Sequence, residues 1–209
     1  MKHADALEIA ERLVERFRPA CERIEIKGSI CRLKPEVKDI EIVAKPILKA
    51  PRVEFGQKKI FKTPLDAILD ELCESKELAV VANGDKLKKI RIFREGDWNF
   101  LITLDLFLAT PPSEWGVEAV IRTGPSDFSQ WCVTQRFKGG ALPDGYFVKH
   151  NVVWIESQIM KEDVPNDPSK VIKILNAANH LSMPEEIDFL NLLGLGWIEP
   201  KERVARWKR

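Results

Sequence analysis

The sequence predicts an α+β fold in two parts, a mixed sheet with helices over residues 1–110 and a smaller α+β C-terminal subdomain over 111–209. Three observations carry this. An amphipathic helical stripe precedes several period-2 strands, a helix-start signal falls between those strands, and the pattern changes from strands to helices at PPSEWG, where paired prolines punctuate the chain.

Ala6, Leu7, Ala10, Leu13, Val14 and Phe17 recur at three- and four-residue spacing, the apolar stripe of a helix over residues 5–18 that ends near Pro19. Ile24 and Ile26 alternate with charges up to Gly28. Ile40, Ile42 and Ala44 alternate with Asp39, Glu41 and Val43, so both stretches read as strands with one face on that helix. TPLDAILDELCE has a Thr cap, a first-turn Pro and early acids, predicting a helix over residues 64–75. Strands follow at Leu78–Val81, Leu87–Phe93 and Phe100–Leu108. Beyond PPSEWG come helices at Glu114–Ile121 and Asp127–Phe137, short strands at Tyr146–Val148 and Val152–Trp154, a polar loop KEDVPNDPSK and a closing helix at Glu185–Leu193.

The chain has 209 residues, 44% hydrophobic and 31% charged, and 33 Lys plus Arg against 32 Asp plus Glu give a net charge of +1. This balance excludes a strongly basic nucleic-acid coat and an acidic disordered tail. No apolar run reaches the ~18 residues of a membrane span, and the N-terminus is charged throughout rather than built as a signal peptide, so a cytoplasmic protein without membrane contact is expected. Cys21, Cys31, Cys73 and Cys132 are scattered and form no zinc pattern, so reduced, mostly buried thiols are expected. His3, His150 and His180 receive no role.

Charge is unevenly placed. Residues 45–62 carry six cations against Glu54 alone, and residues 86–94 carry five with no acid, a net +5 each that leaves −9 elsewhere. Such runs are usually solvated faces. These two adjoin strands bearing carboxylates, which makes Lys58, Lys59, Lys88, Lys89 and Arg91 candidate contacts to a nucleic-acid backbone. Of the tryptophans, Trp98, Trp115, Trp131, Trp154 and Trp197 could stack bases, but core packing is the expectation for most.

Period-2 geometry puts Asp39 and Glu41 on one strand face, and Asp105 interrupts a strand whose other face is Leu104, Leu106 and Leu108. Three converging carboxylates repel unless a cation joins them, and hard oxygen ligands suit Mg²⁺. A D-x-E pair alone is more often a solvated strand face. Upstream, Gly28-Ser29 follows a strand and opens a helical turn, where backbone N–H groups and a hydroxyl can approach a phosphate.

Gly28-Ser29, Arg32, Asp39-Ile40-Glu41 and the later Asp105 together resemble the signature of the nucleotidyltransferase superfamily that includes DNA polymerase β. The eleven-residue step from Gly28 to Asp39 is similar to that of family X DNA polymerases. Asn83-Gly84-Asp85-Lys86, LDLFLATPPSEWGVEAVIRTGPSDF and MPEEIDFLNLLGLGWIEPKER resemble that family's later motifs in order, so the likeness spans most of the chain. It implies a polymerase β-like palm with a C-terminal nucleotide-selecting subdomain, and transfer from a nucleoside triphosphate to a primer 3′-hydroxyl in gapped or primed DNA, as in short-gap or end-filling repair. By the same resemblance Asp39 and Glu41 bridge two Mg²⁺ ions, which Mn²⁺ can replace. Asp105 holds the catalytic one and helps take the hydroxyl proton. Gly28, Ser29 and Arg32 take the phosphates, and Arg122, Thr123, Gly124, Asp127 and Ser129 lie along the nucleotide.

The departures from the family pattern carry expectations too. Glu41 stands where Asp is usual, and Thr103 where Arg is common. Ile121-Arg122 replaces an aromatic pair, so weaker selection against ribonucleotides is expected. The resemblance also implies a cis bond at Gly124-Pro125, where the proline lowers the cis cost from roughly 3 to under about 1 kcal/mol. Only 27 residues precede Gly28, so no lyase module is expected, and the implied protein is a monomer with repair proteins as candidate partners. Two alternatives share these residues: untemplated nucleotidyl transfer to RNA, protein or a small molecule, and a non-catalytic binding module. The intact Gly28, Ser29, Asp39, Glu41 and Asp105 speak against the last.

Overall fold

The computed structural model describes residues 1–48, 63–94, 99–156, 164–175 and 179–207, in two compact units, Met1–Leu108 and Ala109–Arg209. Lys58 and Lys59 lie outside the described residues, as does Trp98.

The first unit runs α1 (His3–Phe17), β1 (Cys21–Lys27), α2 (Gly28–Cys31), β2 (Asp39–Pro46), α3 (Pro64–Glu74), β3 (Leu78–Asn83), β4 (Leu87–Phe93) and β5 (Phe100–Leu108). The sheet order is β1-β2-β5-β4-β3, with β2 and β5 parallel and every other neighbouring pair antiparallel. A parallel neighbour requires a long crossover, and α3 with the β3–β4 hairpin falls within it. Ala6, Ala10, Leu13 and Phe17 of α1 and Leu65, Leu69 and Leu72 of α3 pack with Ile40, Ile42, Ile90, Leu104 and Leu106 as one core. Each fully buried Leu, Ile or Phe contributes roughly 1.5–3 kcal/mol. With these strand positions committed to the core, the residues between them must face away from it. The start of α3 is set by Thr63, whose Oγ1 accepts from Asp66 N while Thr63 N donates to Asp66 Oδ2 at 2.8 Å.

The second unit runs α4 (Trp115–Thr123), α5 (Ser126–Val133), β6 (Tyr146–Lys149), β7 (Val152–Ile155), α6 (Pro168–Leu175), β8 (His180–Leu181) and α7 (Glu186–Leu192), with β6-β7-β8 as a second antiparallel sheet. Val117, Val120, Phe128, Trp131, Phe189 and Leu190 form the core of its helices. Gly116 permits the close approach of α4 to the chain entering α7, since a Cβ there would lie 2.1 Å from Glu185 O.

Some expectations are corrected here. The second helix ends at Val133 rather than Phe137, because Thr134 is extended and Gly140 packs so tightly that a Cβ would lie 1.9 Å from Thr134 O. The polar loop gives way to α6 at Pro168, where the amides of Lys170 and Val171 bond to Asp167 O, and the two-residue β8 is a further addition to the expected elements. Among the described residues the cis bond is Pro111–Pro112, so Gly124–Pro125 is trans. Gly124 and Pro125 both have extended backbone, and Pro125 stands as the N-cap of α5, so a trans bond leads directly into that helix. Trp115, Trp131 and Trp154 are buried, whereas Trp197 is 53% exposed. Of the four free thiols only Cys132 is fully buried, the others being half-buried. Among the described residues, no helix is long and apolar enough to cross a membrane.

Candidate active site

Ile40, Ile42, Leu104 and Leu106 enter the core, so Asp39 and Glu41 of β2 and Asp105 of β5 share the opposite face of the sheet. Parallel register sets Glu41 beside Asp105 and Asp39 beside Thr103. The same rung continues outward on both sides, since Lys27 of β1 pairs with Glu41 and Lys89 of β4 pairs with Asp105. One line across four strands therefore reads Lys27, Glu41, Asp105, Lys89.

Lys89 Nζ lies 3.2 Å from each oxygen of Asp105. Its side chain is 50% exposed, that of Asp105 15%. The ammonium donates to Oδ2; the buried Oδ1 accepts no hydrogen bond, because the nearby ammonium is poorly aligned with it. Lys27 is held differently: it is buried, with Nζ 2.8 Å from Glu25 Oε2, and Arg23 Nε donates to Glu25 Oε1 at 2.7 Å. Burial alone would raise the Glu25 pKa, but the bonds and charges of Lys27 and Arg23 outweigh it and hold the carboxyl below its ordinary range. Among the described residues no three His, Cys, Asp or Glu side chains are gathered as a metal cage. The donor set nonetheless suits Mg²⁺ or Mn²⁺, with hard carboxylate oxygens on one face and a buried Oδ1 on Asp105 with no hydrogen bond.

The β1–α2 turn sits directly against this rung. Gly28 has φ +68, and a Cβ on it would lie 1.7 Å from Glu41 Oε2, so the Glu41 carboxylate lies over the glycine's α-carbon. Ser29 Oγ is buried and has no hydrogen-bond partner among the described residues. An unsatisfied buried hydroxyl costs about 1–3 kcal/mol, which a phosphate oxygen would recover. Arg32 closes the turn, its N–H on Gly28 O at 3.2 Å, with a half-buried side chain. Cys31 Sγ donates to Ile26 O at 3.0 Å.

In the second unit Arg122 donates through Nε to Glu118 Oε1 at 2.9 Å, one helical turn earlier. Glu118 is itself buried and also accepts from Ser113 Oγ and Asn151 Nδ2. Thr123 Oγ1 donates to Ala119 O at 2.6 Å and Ser129 Oγ to Ile121 O at 2.6 Å, so both hydroxyl protons go to carbonyls of α4 and shape the turn into α5. Gly124 is required there, since a Cβ would lie 2.4 Å from the Phe128 ring. Asp127 is exposed in the first turn of α5, its carboxylate accepting from Phe128 N.

The basic run at 86–94 is divided by strand alternation. Lys88 faces the core side, buried, with Nζ 2.9 Å from Asp66 Oδ1 and a bond to Asn83 Oδ1, so it is corrected from backbone contact to internal ion pair. Arg91 is exposed, opposite Thr103, on the face of Asp105. Lys89 is half exposed, with one of its three N–H groups given to Asp105. Sequence reasoning misses Lys27 and Glu118. The alternation in CERIEIK with Ile24 and Ile26 inward, and the Glu118–Arg122 spacing, are the signals that point to them.

No protein-family model matches the chain, and no curated protein sequence matches it. Solved structures do. A ternary P/T complex of Leishmania infantum polymerase beta superposes with a TM-score of 0.66 at 18% identity, covering 98% of this chain and 76% of that one. A ternary gap complex of the same polymerase gives 0.67 at 16% identity, covering 97% and 70%. The chain has a polymerase β-like fold.

Proposed function

We propose that the chain is a DNA-directed nucleotidyltransferase of the family X type, transferring a nucleotidyl group from a dNTP to a primer 3′-hydroxyl at gaps or ends during repair synthesis. The observation that carries the reading is the buried Ser29 hydroxyl, without a partner among the described residues, in a turn closed over Glu41, beside a face that presents Asp39, Glu41 and Asp105. The fold likeness to polymerase beta in ternary complexes supports a DNA and nucleotide pairing.

In this reading the primer oxygen bonds to the α-phosphorus, the bond from that phosphorus to the β-phosphate oxygen breaks, and pyrophosphate leaves. Asp105 accepts the proton of the attacking hydroxyl. Ser29 donates to a phosphate oxygen, and Arg32 supplies positive charge where the leaving pyrophosphate develops its own. Asp39 and Glu41 would hold two divalent cations and Asp105 one of them, which when bound would supply Lewis-acid charge at the attacking and leaving oxygens. Arg91 is a proposed contact to the DNA backbone.

The test uses labelled dNTPs and NTPs with Mg²⁺ or Mn²⁺ on gapped duplex, primer/template, single-stranded DNA and RNA. Extension that follows the template base supports the reading. Untemplated addition replaces it with the transferase alternative, and no transfer to any acceptor overturns both. Asp105→Asn should abolish transfer while keeping or raising the thermal midpoint, since it removes one of the clustered negative charges.

A further inference from the structure

We infer that Lys89 is an internal cation that holds Asp105 until a divalent ion displaces it. The inference rests on the reading of Asp39, Glu41 and Asp105 as metal ligands and adds a residue that competes for one of them. Asp105 stands between Glu41 and Lys89 on one rung, and Lys89 Nζ lies 3.2 Å from both of its oxygens. Three carboxylates on one sheet face repel, and the protein's own ammonium offsets that repulsion without an added ion.

The two lysines of the rung are not equivalent. Lys27 is buried and tied to Glu25, which is tied in turn to Arg23, so it stays in place whatever binds. Lys89 is half exposed and makes one aligned hydrogen bond. A pair whose lysine is half exposed and makes one aligned hydrogen bond is weak, and the ammonium is strongly hydrated, so a doubly charged ion wins the carboxylate and Lys89 swings into water at little cost. Arg91 is no substitute, since its register partner is Thr103, whose short side chain falls between it and Asp39. The buried Asp105 Oδ1, with no hydrogen bond, is the atom that gains most from the exchange.

The test is Mn²⁺ binding to the full chain, followed by electron paramagnetic resonance and calorimetry, in wild type, Lys89→Met, Arg91→Met and Asp105→Asn. Lys89→Met should bind Mn²⁺ roughly 3- to 10-fold more tightly, and Arg91→Met should change affinity less than about 2-fold. The thermal midpoint of Lys89→Met should fall below wild type in chelator and equal it in saturating Mn²⁺, whereas a merely structural lysine would lower it in both. Asp105→Asn should lose the tight ion. If Asp105→Asn loses it and Lys89→Met binds no more tightly than wild type, the inference alone is overturned. If Asp105→Asn binds normally, the metal assignment falls and the inference with it. On the wild-type chain, ¹³C-dimethylation of lysines gives a second readout. The Lys89 resonance should move to the position of exposed lysines on adding Mg²⁺, and an unmoved resonance overturns the inference.

Discussion

Replacing Gly28 by Ala tests whether the β1–α2 turn is built around the Glu41 carboxylate. Two separate costs meet there. The first is backbone: at φ +68 a non-glycine residue occupies the left-handed region at about 1–2 kcal/mol. The second is steric: the added Cβ would lie 1.7 Å from Glu41 Oε2, where non-bonded heavy atoms need about 3.5 Å, so the carboxylate must retreat by nearly 2 Å. Rotation of the half-buried Glu41 costs about 0.5–1.5 kcal/mol off rotamer and leaves Glu41 Cβ 2.9 Å from the added carbon, so this is the lower bound of the steric term. The total is at least about 1.5–3.5 kcal/mol. Gly196→Ala isolates the first term, because Gly196 has φ +61 and nothing within 4 Å of an added Cβ, so it should cost about 1–2 kcal/mol. Urea unfolding followed by circular dichroism gives both values. In the proposed function the consequence is larger than for stability, since moving the carboxylate proposed to hold the ions by more than 1 Å should lower the transfer rate by about 100-fold or more. If Gly28→Ala costs the same as Gly196→Ala and leaves Mn²⁺ affinity and transfer unchanged, the carboxylate does not depend on this glycine and the reasoning is refuted.

The pair of buried Lys88 with half-buried Asp66 should be a stability element with a defined pH signature. Burial opposes ionisation of Asp66, but Lys88 and the backbone and hydroxyl of Thr63 hold its carboxyl below its ordinary range. Its contribution is therefore complete above the ordinary carboxylate value near 4 and is lost as pH falls through the depressed one. Asp66→Asn should cost about 2–4 kcal/mol at pH 7, with the gap to wild type closing towards pH 2, as denaturant melts at the two pH values would show. Thiol reactivity tests the packing of the second unit: burial pushes the Cys132 thiol up to about 12, so a disulfide reagent at pH 8 should leave it unmodified until denaturant is added. Rapid labelling of Cys132 in the native protein would contradict the described core.

The elements that sequence periodicity announces are those whose apolar faces are regular. The stripe of α1 and the alternation of β2 and β5 are enough to assign Asp39, Glu41 and Asp105 to strands, and the fold puts all three on one face. Strand order is not in that pattern. Only the placement of β5 beside β2, with β1 and β4 outside them, turns four residues distant in sequence into one rung, and no local propensity encodes that pairing. The miss at α6 is local instead: Asp167-Pro168 is a helix-start pair, hidden in a stretch polar enough to read as loop. The cis expectation at Gly124–Pro125 rests on resemblance, and the backbone leading into α5 takes the trans bond.

A basic run in sequence is not a basic patch in space when the run is a strand. Counted along the chain, residues 86–94 look like five charges offered to a polyanion. Folded, period-2 geometry sends Lys88 to Asp66 on the core side and Lys89 to Asp105 on the other, leaving Arg91 and Arg94 as the exposed guanidinium groups. Each released counterion reflects one phosphate contact, so the two exposed arginines supply about two of the five, Lys86 being half-buried, Lys88 buried and Lys89 paired with Asp105. Two of the run's three lysines, Lys88 and Lys89, thus serve the protein's own acids. One lets a carboxylate sit beneath the sheet, and the other lets three carboxylates share a face before any ion arrives.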